Sequence, residues 1–331
     1  MTALRERVRL RHASLVEARV RRAARPVGVV LVYHRLAATS GRRDLELVPA
    51  LDRSRFAAEL GYLRRRYAIV APSALPDALA ARSPGSPIPV ALSFDDDTSS
   101  HVDEALPLLD SAEVTAGFYL AGWSLQNARR PWWELLQAAA DHGRLRPAEP
   151  PLSVDAVGAV ERGEPGALRR LGRAIELLDA PARRSLEADL AQLTDGLPLD
   201  AGLDRAALGA LASRHEIGFH TIAHARLASL DDESLGLALM NGRSELEDAI
   251  GRPVDAIAYP HGDADPRVAD AARGAGYVLG LAGFNRAATA ADDRLLLPRL
   301  DPWHTTLGTF ALTLARATQA PDAAQTASPR S

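Results

Sequence analysis

Three consecutive carboxylates, Asp95, Asp96 and Asp97, directly follow an apolar run at residues 90–94. A continuous apolar run of this length is typical of a buried parallel strand, and functional sites lie at the carboxyl ends of such strands. Neighbouring carboxylates repel one another unless a cation lies among them. Because aspartates also cap the amino termini of helices, a helix cap is the alternative interpretation of these acids.

Two histidines, His220 and His224, stand four residues apart, directly after a second strand-like run. On a helical turn, residues at this spacing share one face, so both imidazoles can bind one metal ion. We therefore predict a helical turn at residues 220–224. Two histidines and one carboxylate leave a coordination position open for water, as a hydrolytic metal site requires. A lone histidine is more often structural, but together with the acid triplet this pair favours a metal site.

The motifs SFDD at residues 93–96 and HTIAH at residues 220–224 resemble those of the polysaccharide deacetylases, also called the NodB-homology family or carbohydrate esterase family four. The resemblance covers roughly residues 27–303 in the same order along the chain. It is carried further by VYHR at 32–35, TAGFYL at 115–120, PWWE at 131–134, GRPVDAIAYPHG at 251–262 and LPRLD at 297–301. This resemblance implies an α/β fold, namely a distorted (β/α) barrel of the NodB-homology type with a helical insertion.

The resemblance also implies a function, that of a metal-dependent hydrolase removing an N-acetyl group from an amino sugar through a metal-activated water. Asp96, His220 and His224 would bind the divalent metal, with zinc (Zn²⁺) expected and Co²⁺, Ni²⁺ or Fe²⁺ as alternatives. Asp95 would be the general base. The arginine that many members place before the proline of the AYPHG segment is absent here, so Arg299 is the best candidate to hold Asp95 ionised, with an ordinary surface pair as the alternative. The substrate partner would be a glycan precursor, a glycolipid or a small glycoside that carries the N-acetylated sugar.

The general acid that protonates the departing amine is expected to be a histidine from a late motif. His304 is the first candidate and His261 is an alternative. His34, at the end of the first strand, is a third candidate that also fits a purely structural histidine. Tyr119 or a neighbouring backbone N–H is a candidate to hold the oxyanion. Three further histidines are predicted to lie on exposed helices: His12, His101 and His142.

Asp97 occupies a position that is usually glycine in the family. A carboxylate there would narrow the pocket, add a metal ligand or recruit a cationic substrate, or it would damage the site. If Asp97 damages the site, the alternative function is a carbohydrate-binding barrel without turnover. A further alternative is hydrolysis of another non-peptide C–N bond, as in a cyclic ureide or imide.

Composition excludes several other functions. The chain has 331 residues, a formal net charge of −3 and no cysteine, and it contains no lysine, so its 39 basic residues are all arginine. The charge balance and the lack of a nucleic-acid-binding motif argue against a nucleic-acid partner. Without lysine or cysteine, Schiff-base lysines, P-loops, thiol nucleophiles and disulfides are excluded. Nothing in the sequence indicates an oligomeric state.

The predicted organisation has three parts. Residues 1–26 form a basic helix with eight arginines and two glutamates, residues 27–317 form the barrel with an insertion at about 123–202, and residues 318–331 form a disordered tail. The basic helix either touches an anionic membrane surface peripherally or packs on the barrel. The insertion either covers the site as a lid or caps the side of the barrel. Because no secretory signal precedes the first strand, we expect a cytoplasmic protein.

Overall fold

The computed structural model describes residues 2–125, 130–301 and 306–319. The strands are β1 (Val27–Tyr33), β2 (Leu36–Ala37), β3 (Leu51–Asp52), β4 (Tyr67–Ile69), β5 (Ile88–Asp95), β6 (Gly117–Leu120), β7 (Glu216–Phe219), β8 (Ala256–Ala258), β9 (Leu279–Ala282), β10 (Ala288–Thr289) and β11 (Leu297–Leu300). The α-helices are α1 (Thr2–Arg22), α2 (Arg53–Arg66), α3 (Leu75–Ala80), α4 (Leu106–Ser111), α5 (Trp132–Asp141), α6 (Val154–Glu161), α7 (Ala167–Glu176), α8 (Ala180–Leu193), α9 (Arg205–Ala212), α10 (Asp232–Met240), α11 (Arg243–Ile250), α12 (Pro266–Gly274) and α13 (Leu307–Gln319). A π-helical turn at His101–Ala105 leads into α4, and 3₁₀ turns lie at Pro72–Ala74, Trp123–Leu125, Leu227–Ser229 and Pro260–Gly262.

Seven parallel strands close into a barrel. Their order is β1-β11-β9-β8-β7-β6-β5, and β5 pairs with β1 to complete the ring. In addition, β4 pairs with the amino-terminal part of β5, and β10 pairs antiparallel with the first two residues of β1. Parallel neighbours need crossover connections, most of which are helices here. The predicted distorted (β/α) barrel is therefore confirmed.

Alternate residues of the barrel strands face the interior and the surrounding helices. Val30, Ala91 and Leu297 pack in one hydrophobic cluster inside the ring. Leu31 and Leu92 pack in a larger cluster that includes the buried faces of the surrounding helices. Even positions of β1 and odd positions of β5 and β11 therefore point into the barrel.

Helices α5 to α8 lie between β6 and β7, in the region of the predicted insertion. They pack around a hydrophobic cluster of their own, which includes Trp132 and Leu171. The end of this region is joined to the loop after β5, because the Asp200 carboxylate accepts a hydrogen bond from the Ser99 N–H at 2.9 Å. The division at residues 123–202, as an insertion rather than a separate domain, stays a prediction.

The amino-terminal helix α1 packs along α13. Its Glu17 accepts hydrogen bonds from the hydroxyls of Tyr62 and Tyr67 and from the guanidinium of Arg66, and so binds α1 to α2 and β4. Contact of this basic helix with an anionic membrane surface stays a prediction. Among the described residues, no helix is both long and apolar enough to span a membrane.

The predicted disordered tail begins too early by two residues. Thr318 and Gln319 end α13, where Thr318 is fully buried and its hydroxyl donates to the Ala315 carbonyl at 2.8 Å. Packing of α13 against α1 extends the helix beyond the apolar pattern that the sequence shows. The rest of the predicted tail lies outside the described residues.

Candidate metal and catalytic site

The candidate site lies at the mouth of the barrel, where the strands end at their carboxyl side. Asp95 ends β5 and Arg299 lies in β11, both at odd positions that point into the barrel. His220 directly follows β7. Together with Asp96 and His224, these side chains line a cleft of about 480 Å³.

Asp96, His220 and His224 form a cluster suited to a metal ion. Their ligand atoms all lie within 4.8 Å of one another, and the Asp96 Oδ1 is 3.8 Å from the Nε2 of each imidazole. The Nδ1–H of His220 donates to the Ala258 carbonyl at 2.8 Å, so the Nε2 lone pair is free to face the cluster. Two imidazole nitrogens and one carboxylate oxygen suit a divalent transition metal. The donor set therefore fits the metal that the family resemblance implies.

The two histidines do not lie on a helical turn, and that prediction is wrong. The strand β7 ends at Phe219, and the loop that follows has positive φ at Thr221 (54°) and His224 (45°). Left-handed backbone at residues other than glycine costs about 1–3 kcal/mol each and persists where the surroundings over-determine it. Here the reversed loop places the His224 ring 5.0 Å from that of His220. A loop with left-handed backbone at Thr221 and His224, and not a helical turn, therefore brings the two rings together.

Asp95 forms a buried ion pair with Arg299. The Nη1 of Arg299 lies 2.7 Å from both carboxylate oxygens of Asp95. Burial by itself raises the pKa of Asp95, but the charges of Arg299, His220 and His34 outweigh burial, and the net pKa lies below the ordinary value. The Asp95 Oδ2 is also 3.9 Å from the His220 Nε2, beside the metal cluster. An ionised carboxylate therefore lies beside the candidate metal cluster.

Asp96 shows the opposite shift. Burial raises its pKa well above the ordinary value, and the neighbouring carboxylates of Asp95, Asp97 and Glu134 raise it further. Adjoining carboxylates cannot all be ionised at low cost without a positive charge among them. The crowding of acids at Asp96 thus agrees with a cation held by its carboxylate and the two imidazoles.

Asp97 points neither into the cleft nor to solvent. Its side chain is 1% exposed, and its Oδ1 accepts the Ala121 N–H at 2.8 Å, next to the 3₁₀ turn at Trp123–Leu125. Burial raises the pKa of Asp97 to about 6, and backbone N–H groups of that turn offset part of the effect. The interpretations in which Asp97 narrows the pocket, adds a ligand or recruits a cationic substrate are therefore wrong. Asp97 instead joins the loop after β5 to the loop after β6.

His101 is a site residue that sequence reasoning missed. It was expected on an exposed helix, yet it is fully buried, and its Nε2 lies 3.1 Å from the Asp95 carbonyl and 2.9 Å from the Asp96 carbonyl. Carbonyls only accept, so this nitrogen donates to both and supports the left-handed backbone of Asp96 (φ 72°). The π-helical turn that begins at His101 folds the ring back under the strand end. Its position six residues after Asp95, in the first turn of the next helix, was the available signal.

Two of the three candidate general acids line the cleft. His34 is affected by the charges of Asp95 and Arg299, burial lowers its pKa, and within the described residues it has no hydrogen-bond partner. The choice between a general acid and a structural histidine stays a prediction for His34. The ring of His261 lies 4.6 Å from that of His224, and burial lowers its pKa as well. His304 lies outside the described residues, so its role stays a prediction.

Tyr119, the candidate to hold the oxyanion, lies inside the barrel and away from the cleft. Its ring packs closely over Gly218 and Gly117, where a Cβ would collide with it. Its hydroxyl is buried and, among the described residues, has no hydrogen-bond partner. The structure therefore gives Tyr119 no contact with the cleft.

The helices between β6 and β7 supply one wall of the cleft. Trp132 and Trp133 come from α5, and α7 contributes Arg169, Arg173 and Glu176. The Trp133 ring lies 4.5 Å from the His224 ring at a tilt of 44°. This region therefore contacts the site directly, and its use as a moving lid stays a prediction.

Comparison with known sequences finds that part of the chain is similar to a described family. Residues 205–280 match the family model described as Polysaccharide deacetylase. The matched segment includes His220 and His224 but not the acid triplet. No curated protein matches the chain in sequence.

Several solved structures share the fold at low sequence identity. The Streptococcus pyogenes deacetylase PplD, in complex with acetate, is 14% identical with a TM-score of 0.57, over 89% of this chain and 99% of that one. The de-N-acetylase from Aggregatibacter actinomycetemcomitans is 13% identical with a TM-score of 0.54, over 86% and 99%. IcaB from Ammonifex degensii is 18% identical with a TM-score of 0.51, over 89% and 97%. Together with the family-model match, these structures of similar fold confirm the predicted resemblance to the polysaccharide deacetylases.

Proposed function

We propose that the protein is a metal-dependent N-deacetylase, a hydrolase that removes an N-acetyl group from an amino sugar. One observation carries the proposal. The cluster of Asp96, His220 and His224 shares its cleft with a second carboxylate, Asp95, that Arg299 keeps ionised. A donor set for a divalent metal beside an ionised base is what amide hydrolysis requires. The family-model match and the deacetylases of similar fold support the same reaction class.

The chemistry divides between the metal and the chain. When bound by Asp96, His220 and His224, a divalent metal, with zinc expected, supplies a Lewis acid for the acetamide carbonyl and the attacking water. Arg299 keeps Asp95 ionised before the reaction. Asp95 then accepts a proton from the water as the water oxygen attacks the carbonyl carbon. The C–N bond then breaks, and a protonated histidine donates its proton to the leaving amine. The products are acetate and a free amino sugar.

The identity of that histidine is part of the proposal. His304 remains the first candidate, and His34 and His261 are the alternatives that line the cleft. Loss of the general acid removes the alkaline limb of the pH–rate profile, whereas loss of a merely neighbouring histidine does not. Single alanine variants of the three histidines therefore distinguish them.

The substrate class rests on the aromatic wall of the cleft. Trp133, beside His224, offers an indole face on which a sugar ring can stack. This supports an N-acetylated sugar in a glycan precursor, glycolipid or small glycoside. The alternative of a barrel without turnover depended on Asp97 in the cleft, and Asp97 lies elsewhere. No observation favours a ureide or imide.

The test measures metal content and acetate release together. We expect about one divalent ion per chain and acetate release from N-acetylated amino-sugar oligosaccharides. The double variant His220→Ala/His224→Ala should lose both, and His12→Ala, which changes an exposed histidine on α1, should lose neither. Full metal content in the double variant would overturn the assigned cluster. Bound metal without acetate release from any N-acetylated sugar would overturn the proposed deacetylation.

A further inference from the structure

A second cavity opens beside the cleft. Its volume is about 270 Å³, and it lies between the end of β1, the loop at residues 42–50 and α7. The cavity and the cleft share the same six lining residues at their junction: Val32, His34, Leu47, Val48, Arg169 and Asp301. A ligand bound in the cleft can therefore extend into this cavity.

The second cavity is lined by three arginines and one acid. Arg43 lies 3.5 Å from the acid, Asp301, in a half-exposed pair. Within the described parts of the chain, the guanidinium groups of Arg35 and Arg169 form no hydrogen bond or ion pair, although the charge of Arg35 acts to lower the pKa of Glu134 and that of Arg169 the pKa of Asp44. Asp322 is the one acidic side chain in the rest of the sequence, which the structure does not describe. The lining thus has a net charge of +2 with two guanidinium groups free to bind a ligand.

Two arginines of the cleft are engaged with acids, whereas Arg173 of α7, like Arg35 and Arg169, forms no ion pair within the described residues. Arg226 binds the Glu176 carboxylate at 3.2 and 3.0 Å, and Arg299 binds Asp95. Unpaired cations on a concave surface create a positive potential that attracts anions.

The walls of the cavity are fixed by hydrogen bonds rather than formed by loose surface chains. The Leu47 N–H donates to the Gln137 Oε1 on α5 at 2.8 Å. The Gly166 N–H, at the start of α7, donates to the Asp44 carbonyl at 2.6 Å. Gly172 of α7 leaves only 3.0 Å between a Cβ at its position and Leu47. The loop and α7 are therefore held together, with Arg169 facing the space between them.

We propose that the second cavity binds a phosphate ester carried by the acetylated amino sugar. The planar guanidinium of arginine matches two phosphate oxygens at once, and two free guanidinium groups suit a dianion better than a single carboxylate. The cavity opens into the cleft beside His34, so the ester and the acetamide belong to one molecule. The sugar identity rests on the proposed function, whereas phosphate binding does not.

The first test measures binding of inorganic phosphate by titration calorimetry. It uses the wild type and the variant His220→Ala/His224→Ala, in which phosphate cannot bind a metal at the cluster. We expect binding to both proteins. Arg35→Gln and Arg169→Gln should each weaken binding at least about tenfold, because each removes charge-assisted hydrogen bonds.

Arg170→Gln is the matched control. Arg170 is the next residue on α7, its side chain is 62% exposed, and its partner is Glu164 at 3.8 Å. It should bind phosphate as the wild type does, and thermal melts should show all variants folded. Three results would overturn the proposal. The wild type does not bind phosphate, the variant without the two metal-site histidines does not bind it, or Arg170→Gln weakens binding as much as Arg35→Gln and Arg169→Gln do.

The second test compares acetate release from N-acetylglucosamine, its 1-phosphate and the corresponding uronic acid. We expect kcat/KM to be at least about tenfold higher for the phosphate ester, and Arg169→Gln to remove this preference by raising KM. Equal kcat/KM for all three sugars would overturn the phosphate proposal and leave deacetylation standing. A higher kcat/KM for the uronic acid would overturn the phosphate proposal and indicate that the cavity binds a carboxylate. Phosphate binding without acetate release from any sugar would support the cavity and overturn the proposed deacetylation.

Discussion

Two carboxylates in this protein, Glu17 and Asp95, are equally inaccessible to solvent but are satisfied in different ways. Glu17 is 1% exposed and is enclosed by two tyrosine hydroxyls on one oxygen and Arg66 on the other. Asp95 is 2% exposed and contacts a single guanidinium nitrogen, and its carboxylate lines the cleft. Burial alone therefore does not separate a structural carboxylate from a catalytic candidate. The two kinds of carboxylate differ in where their remaining free lone pairs point, which for Asp95 is into the cleft.

The largest expected effect comes from removing the Asp95 charge. Asp95→Asn should keep the metal but lower turnover by about 10²–10⁴-fold, since the general base is lost. Asp96→Asn should lose both metal and turnover. Metal analysis and acetate release measure the two properties separately. Near wild-type turnover in Asp95→Asn would contradict the assignment of the base.

The reverse pattern is expected for Glu17. Glu17→Gln leaves Arg66 without its partner carboxylate, and we expect the free energy of unfolding to fall by about 2–4 kcal/mol, the lower part allowing for the partial exposure of Arg66. Turnover of the folded protein should not change. Urea unfolding measures the loss, with Glu161→Gln on the exposed side of α6 as the control. A Glu17→Gln protein of normal stability would remove the contrast with Asp95.

Glu59 is an intermediate case that sharpens the comparison. Its Oε2 accepts the Tyr33 hydroxyl at 3.1 Å, while its buried Oε1 has no partner among the described residues. Burial raises the pKa of Glu59 from 4.5 to about 8, although Tyr33 and Arg55 act against the rise. The folded state then binds a proton that the unfolded state releases, so stability is lost as the pH rises from about 4.5 through about 8.

Glu59→Gln should remove this pH dependence. The measured quantity is the free energy of unfolding of the variant minus that of the wild type. We expect this difference to be larger at pH 9 than at pH 5 by more than about 1 kcal/mol, because only the wild type loses stability over this range. Denaturant titrations at the two pH values measure the difference. A difference that does not change with pH would mean that Glu59 has an ordinary pKa.

The sequence was informative where strand register decides position. Asp95 and Arg299 stand at inward positions of their strands, and the motifs alone were enough to propose their pairing. Residues beyond the strand ends were not predictable in the same way. The directions of Asp97 and His101 follow from the left-handed backbone of Asp96 and from a π-helical turn, and no periodicity in the sequence encodes either. The loop that carries His224 has the same character, which is why a helical turn was expected in its place.

The ring of strands closes with β1 against β11, and this closure has a consequence for synthesis. As the chain emerges from the ribosome, β1 appears long before its partner and keeps one edge unpaired until β11 follows. Asp95 then acquires Arg299, which lies 204 positions further along the chain. All three metal-ligand candidates emerge before that step, whereas the charge state of the base depends on it. The partner that keeps the base ionised is therefore acquired late, and a chain interrupted before β11 has the donor set and Asp95 but lacks Arg299.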